Sequence, residues 1–495
     1  MLSLQKLGRA DHEKKQAKKI EKELPYFITI VTLLATSGLG PYSILQKIKD
    51  LNLLPTIRHE SIKIIKRIDM LGLDPLTVLS QAKEKTSSRL LGDFLAGYVS
   101  AIQSGGNVIN YLKSKMSSSF EMLEAKEKGS VEKISGIVHA YLTMQIVILA
   151  VFILVAAVGS NPLSITPGAS TAANYNPPYM ILVFPPIMSL VFLKVAQRFN
   201  YSNISELQVK KILRFGLPAI LISIILIFSN ILSSFHVNAY IIGVGLVAAS
   251  LWPALRFQKI YTKNLDAETA TPQILRDITE ARKSGLGPEK CIIRACKRKD
   301  YRTFNVIANT ISNKLEWGIP MNNIFDSLYS EVKNFQVLVS FRILFEIITS
   351  GGGNVNTLDS LADTSEKIYD IEKNKREMLK PYIMVGFMLI TITGFTTLLT
   401  IDSFASINQQ SRPGSEPLGS GYVEQTRSFF DIISMSVIVQ AWLAGLFIGK
   451  ITKGAFSGGF LFSIILVIIT MVSVDMIQLH VINIGSIMKN STPPI

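Results

Sequence analysis

Cysteine is almost absent: Cys291 and Cys296 are the only two in 495 residues. That excludes a disulfide scaffold and any multi-cysteine metal module. The five histidines, at 12, 59, 139, 236 and 480, are scattered. Charge is missing from long windows. No Lys, Arg, Asp or Glu occurs over the 60 residues Ile134–Leu193 or the 41 residues Phe215–Leu255. Three shorter gaps follow: Pro381–Ile401, Ile432–Gly449 and Gly454–Val474. Yet the whole chain has 51 Lys+Arg against 36 Asp+Glu, a net charge of +15. It is also 48% hydrophobic, with a mean hydropathy of +0.33. A disordered basic tail would need low hydropathy. The combination fits a membrane protein whose charge lies in separate soluble parts.

A spanning helix needs about 20 apolar residues. The first gap is interrupted by loop chemistry, Gly159-Ser-Asn-Pro to Asn176-Pro-Pro, so it holds two spans near 137–159 and 178–197. The second breaks at 233–238, giving spans near 216–234 and 239–256. The last three gaps give spans near 382–402, 430–449 and 455–475, seven in all.

Positive residues set the expected orientation. Residues 1–136 hold 21 Lys/Arg, 198–215 hold four and 258–380 hold nineteen, whereas the alternate loops are nearly bare. This places the protein in the cell membrane as a multi-pass chain with a cytoplasmic N-terminus and an outside C-terminus. Residues 1–23 lack an apolar core, so no signal peptide is expected there. The expected parts are a charged N-terminal arm (1–23), a cytoplasmic helical domain (24–136) and four spans (137–257). A second cytoplasmic domain (258–380), three spans (381–477) and an external tail (478–495) complete the chain.

The two cytoplasmic blocks repeat one another. Ser37-Gly-Leu-Gly-Pro41 matches Ser284-Gly-Leu-Gly-Pro288, and Ser104-Gly-Gly-Asn-Val108 matches Ser350-Gly-Gly-Gly-Asn-Val355. A constant offset of 247 pairs Gly38 with Gly285 and Gly105 with Gly352. Gly72-Leu-Asp-Pro75 corresponds loosely to Gly318-Ile-Pro320. Leu24, Phe27, Ile28, Val31 and Leu34 recur at helical spacing, as do Leu91, Phe94, Leu95, Tyr98 and Val99. Each block therefore reads as an antiparallel bundle of five or six helices. Its last helix, roughly 107–136 or 355–380, runs on into a span. The fold class is all-α.

These residues resemble the type II secretion system F domain. The first copy carries Leu24-Pro-Tyr-Phe27, Ser37-Gly-Leu, Gly72-x-x-Pro75 and Ser104-Gly-Gly; the second carries Pro272-Gln-Ile-Leu275, Ser284-Gly-Leu, Gly318-x-Pro320 and Ser350-Gly-Gly. Two such domains, separated by four spans and followed by three, look like the archaeal branch: the platform (J) proteins of the archaellum and of archaeal type IV pili. The resemblance implies an assembly platform that is not an enzyme. It implies a homodimer that couples a cytoplasmic hexameric secretion ATPase to pilin- or archaellin-like subunits in the lipid bilayer.

No catalytic, cofactor or metal signature is expected. Gly445-Leu-Phe-Ile-Gly-Lys-Ile451 lacks both the spacing and the hydroxyl of a phosphate loop. His59-Glu60 has no second His four residues on, and Cys291-x4-Cys296 has no partner ligands nearby. The alternative reading is a transporter with regulatory helical domains. Its ion path would need ionisable groups within the spans, and the apolar runs have none. Gln145, Asn230 and Gln440 are the polar candidates there.

What remains is function by contact. Arg294, Lys297, Arg298 and Arg302 are expected on one helix face, with Lys63, Lys66 and Arg67 as a second basic patch. Such patches steer docking of an acidic ATPase surface. A solvated face beside anionic headgroups is the competing reading. Nucleic acid is not expected as a partner. Gly38, Gly105, Gly285 and Gly352 are expected to allow tight interhelical turns.

Overall fold

The structure, a computed structural model, describes residues 2–159, 179–197, 238–298, 301–410 and 420–490. Helices account for its regular structure, and no strand occurs among the described residues. The chain divides into two compact units, residues 1–128 with 261–374 and residues 129–260 with 375–495.

In the first unit the helices are α1 (Leu2–Thr36), α2 (Pro41–Lys49), α3 (Pro55–Leu71), α4 (Pro75–Lys85) and α5 (Arg89–Gln103), with the start of α6 (Val108–Gly159). The second set is the end of α8 (Asn238–Lys283), α9 (Pro288–Cys296), α10 (Asn305–Glu316), α11 (Met321–Glu331), α12 (Phe335–Thr349) and α13 (Val355–Leu379). Helix α1 passes unbroken through the charged stretch 1–23 into its apolar half. Ile20, inside that stretch, is fully buried. Starts and stops follow local chemistry. Proline occupies the first position of α2, α3, α4 and α9, where its missing N–H has no helical role. Asp74 accepts the N–H groups of Leu76 and Thr77, and Asn334 accepts those of Gln336 and Val337.

The residues read as periodic form the core. Leu24, Phe27, Ile28, Val31 and Leu34 of α1 are buried, as are Leu91, Phe94, Leu95, Tyr98 and Val99 of α5. Both repeats share a single apolar core, which runs from Ile20 through Phe120 and from Ala267 through Ile371. Tyr26 of α1 meets Phe335 of α12 edge-on, with ring centroids 5.1 Å apart. Lys47 of α2 lies 3.4 Å from the buried carboxylate of Glu346 on α12. The two bundles are thus halves of one folded body.

The repeat is not at constant offset. Pro41 to Pro288 is 247 positions, Pro75 to Met321 and Arg89 to Phe335 are 246, and Val108 to Val355 is 247 again. One residue is lost between α9 and α11, and one is gained in the turn before α13. This corrects the pairing of Gly105 with Gly352. The left-handed residue matching Gly105 (φ +65°) is Gly351 (φ +78°). Gly352 lacks positive φ and serves a different need: a Cβ there would overlap Ser37 Oγ and Cβ.

In the second unit, α6 and α8 are joined by α7 (Tyr179–Gln197), α14 (Pro381–Gln410), α15 (Ser420–Lys453) and α16 (Phe460–Asn490). Five stretches among the described residues are long and apolar enough to cross a membrane: Val108–Val151, Tyr240–Lys283, Val355–Thr396, Ile433–Lys453 and Phe456–Met476. Phe184–Gln197 is a shorter apolar helix. The expected span at 216–234 lies outside the described residues, so five spans stand here against the seven expected. Helices α15 and α16 form a close hairpin. A Cβ at Gly449 would strike the backbone of Gly458 and Gly459, and one at Gly445 would strike the backbone of Ser463. This small-residue seam lets helices approach where lipid offers no hydrophobic drive. It also gives Gly445 and Gly449 a packing role in a membrane helix, in place of any phosphate loop.

Candidate partner-docking site

The basic residues of the second repeat do not share one helix face. Helix α9 ends at Cys296 and Lys297 caps it, so only Arg294 projects from the helix proper. Lys297 pairs with Glu316 at the end of α10, and Arg298 pairs with Asp277 of α8. Asp277 also accepts the Tyr301 hydroxyl at 2.7 Å. Burial, reinforced by that carboxylate, pushes the Tyr301 phenol well above its usual pKa. With Arg302, 3.8 Å from Asp266, three of the four expected docking cations are therefore held in ion pairs with the chain's own acids. Exposed pairs of this kind contribute little stability, about 0–1 kcal/mol, but they locally cancel the charge that would steer a partner.

Arg294 and Arg302 are placed differently. Arg294 is exposed on α9. Arg302 opens a single 3-10 turn, Arg302–Phe304, and is the one non-glycine residue with positive φ (+50°) among the described residues. Its guanidinium is 3.8 Å from Asp266, while its side chain remains 81% exposed. Asp266 is buried and accepts the Thr303 hydroxyl at 2.6 Å, which pins the turn. A left-handed non-glycine residue costs roughly 1–3 kcal/mol and persists where its surroundings over-determine it. The other patch lies on α3. Lys63 and Lys66 are exposed and Arg67 is half-buried, with Lys63 2.8 Å from Glu60.

The remaining expectations fall on structural roles. Gly38, Gly105 and Gly285 each take positive φ just after a helix. Cys291 and Cys296 are both buried on α9, and burial pushes the Cys296 thiol up to about 12. No group of three or more His, Cys, Asp or Glu converges among the described residues. Gln145 and Gln440, the polar residues of the expected spans, bond to each other. Asn230 lies outside the described residues.

Sequence reasoning missed the residues around these cations. Val306 and Trp317, on and just after α10, are 71% and 77% exposed. Between Thr303 and Asn313 there is no charged side chain at all. The signal was legible as a charge gap, but it was too short to register beside the membrane runs.

The family model for the type II secretion system protein F matches this chain twice, over residues 27–156 and 274–401. The chain belongs to that family. Each matched stretch takes in one bundle and the first apolar span after it, so the F-family unit is a bundle together with its exit into the membrane. Among curated proteins, an uncharacterized protein of Methanocaldococcus jannaschii is 21% identical over 396 residues. That similarity covers 73% of this chain and 65% of the relative's length. No solved structure matches.

Proposed function

We propose that this F-family membrane protein is the assembly platform of an archaeal type IV filament, an archaellum or a pilus. In this reading it couples a cytoplasmic hexameric secretion ATPase to pilin- or archaellin-like subunits and catalyses no reaction itself. The observation that carries it is the doubled F domain on a single chain, each copy continuous with an apolar span. The likeness to a protein of an archaeon supports the archaeal branch.

The parts follow the sequence boundaries: arm 1–23, F domains 24–136 and 258–380, membrane segments 137–257 and 381–477, and tail 478–495. The two F domains face the cytoplasm, with the C-terminus outside. Arg294 and Arg302 lead the attraction of the ATPase, with Lys63, Lys66 and Arg67 as a second basic face. The chain works as a homodimer, each protomer supplying an F-domain pair already joined through one core. Pairing of Gln145 with Gln440, and of Trp442 with Ser250 at 2.8 Å, supports scaffold over transporter, since these groups tie helices together.

Deleting the gene and imaging cells by electron microscopy tests the proposal. Loss of a filament that returns on complementation is expected. Unchanged filaments, with no second F-family gene present, would refute it. A filament lost only from swimming or only from adhesion assays would assign it to archaellum or pilus.

A further inference from the structure

Helix α1 and the second half of α8 are the same element of the repeat. Each ends at a Ser-Gly-Leu-Gly turn, α1 at Thr36 and α8 at Lys283, and the offset of 247 holds back along both. Ile20 and Ala267, Leu24 and Thr271, Phe27 and Ile274, and Thr32 and Thr279 are matched pairs, all buried. On this register residues 14–19 of α1, Lys-Lys-Gln-Ala-Lys-Lys, match residues 261–266 of α8, Tyr-Thr-Lys-Asn-Leu-Asp. Lys14, Lys15, Lys18 and Lys19 are exposed, on the side of the helix away from buried Ile20 and Leu24. Lys15 bonds to Asp11 at 2.7 Å, and residues 14–19 themselves contain no acid.

Helix α8 shows how far this level is from the membrane. It is one helix from Asn238 to Lys283, and its charge-free run ends at Leu255. Tyr261 and Asp266 follow six and eleven residues later, about 9 and 17 Å along the axis. Headgroups fill roughly the first 5–8 Å beyond the hydrocarbon. The positions that match the lysines therefore lie within about 10 Å of the headgroups, the Debye length at 0.1 M salt. Thr36, at the other end of α1, is about 25 Å beyond Lys19. A soluble partner that meets the turns at 37–40 and 284–287 does not reach these lysines.

The fold does not require cations here, since α8 has Tyr261, Thr262, Leu265 and Asp266 at the four matched positions. What differs between the repeats is attachment. Among the described residues, the second bundle adjoins apolar stretches on both sides, in α8 and after α13, whereas the first adjoins the one in α6. Anionic headgroups attract lysines within a Debye length. They are also the acidic surface that the fold itself brings to this level, because α8 carries span and bundle in one helix. A second copy or a soluble protein would have to be recruited there.

We propose that Lys14, Lys15, Lys18 and Lys19 anchor α1 electrostatically to anionic lipid headgroups. This gives the first bundle a salt-sensitive attachment where the second bundle has a span. The inference rests on the membrane fold of the F family and not on the platform reading.

The test uses the full chain in vesicles of phosphatidylcholine, with or without phosphatidylglycerol, carrying a nitroxide on Glu13→Cys. Cys291 and Cys296 are buried and stay unlabelled. Electron paramagnetic resonance reads the ratio of slow, lipid-held label to fast, free label. The ratio is expected to rise with phosphatidylglycerol and to fall back in high salt. Lys14→Gln and Lys18→Gln should each lower it about fivefold, the equivalent of about 1 kcal/mol, and together about twenty-five-fold. Lys113→Gln, exposed near the start of α6, should leave it unchanged. The four lysines are exposed, so their variants should melt with wild type. A ratio indifferent to phosphatidylglycerol, or a double variant that keeps the wild-type ratio, overturns the anchor and leaves the platform reading untouched. A slow component that grows with protein density instead of lipid charge, or that needs added secretion ATPase, gives the lysines a protein occupant, and the proposal falls.

Discussion

Gly352 tests whether the two repeats are one body. The fixed-offset reading made it a turn glycine, and the structure makes it a contact glycine. A methyl group there would overlap Ser37 Oγ and Cβ from the first repeat and sit 3.1 Å from the Ile347 carbonyl. Overpacking of this kind costs about 1–3 kcal/mol. Gly351→Ala should cost a similar amount for another reason, since alanine at φ +78° is strained by about 1–2 kcal/mol. The two causes separate in a double-mutant cycle with Ser37→Gly, which removes the atoms that the methyl group added at position 352 would strike. Ser37→Gly alone forfeits the Ser37 hydroxyl bond to Leu33 O at 2.9 Å and costs about 1 kcal/mol. Combined with Gly352→Ala it should recover at least about 1 kcal/mol relative to the sum of the singles, whereas combined with Gly351→Ala the effects should add. The assay is thermal unfolding of the purified full chain, where each kcal/mol moves the midpoint by about 2–4 °C for a unit of this size. Additive behaviour of Ser37→Gly with Gly352→Ala would refute the contact between repeats.

Three further outcomes follow from particular contacts. Gly449→Val should prevent closure of the α15–α16 hairpin, because its side chain meets the backbone of Gly458 and Gly459, which cannot rotate away; reduced yield of folded protein in membranes, not matched by Gly245→Val at an open site, checks it. Glu23 accepts the N–H groups of Thr56 and Ile57 at the start of α3, at 3.0 and 2.8 Å, and burial still raises its pKa. A raised carboxyl pKa means that the stability it contributes is full below the unfolded pKa and is lost as pH rises through the folded one. Glu23→Gln should therefore gain on wild type across that rise, and a wild type that gains on the variant over the same pH range would sink the assignment. Cys296, with its thiol pushed up to about 12, should resist alkylation at pH 8 in folded protein and react fully in denaturant, as mass spectrometry of iodoacetamide-treated protein would show.

The helical periodicities and charge gaps were enough to place the bundle cores and most apolar spans, because burial and insertion act on patterns of three to twenty residues in a row. What escaped was whatever depends on contacts distant in sequence. Lys297 and Arg298 look like a docking patch until Glu316 and Asp277, 19 and 21 residues away, are brought against them. Trp317 carried no signal, since nothing local says that it and Val306 face out. Spacing excluded a phosphate loop at Gly445 and Gly449, but nothing local says that these glycines meet the backbone of Ser463, Gly458 and Gly459.

The register shift between the repeats carries the deepest consequence. The second copy returns to the 247 offset only in the turn before α13, and the residue gained there leaves Gly351, Gly352 and Gly353 in a row. Gly351 keeps the left-handed turn; Gly352 admits Ser37 of the other repeat; a Cβ at Gly353 would lie 2.9 Å from Pro288 Cγ. Arg282 donates to the Gly353 carbonyl at 2.7 Å and closes the same corner. The first repeat, with two glycines in its turn, has no such junction: a Cβ at Gly106 would meet only its own Ser104 and Ala101. Two separate chains of one sequence could not adopt this arrangement on one side only. Fusion of the domains makes the asymmetry available, and the extra glycine sits where the two copies touch. An F-domain pair built this way presents two non-equivalent faces to any partner, which is why α3, charged along its length, and α10, uncharged from Asn305 to Asn313, can occupy matching positions in one fold.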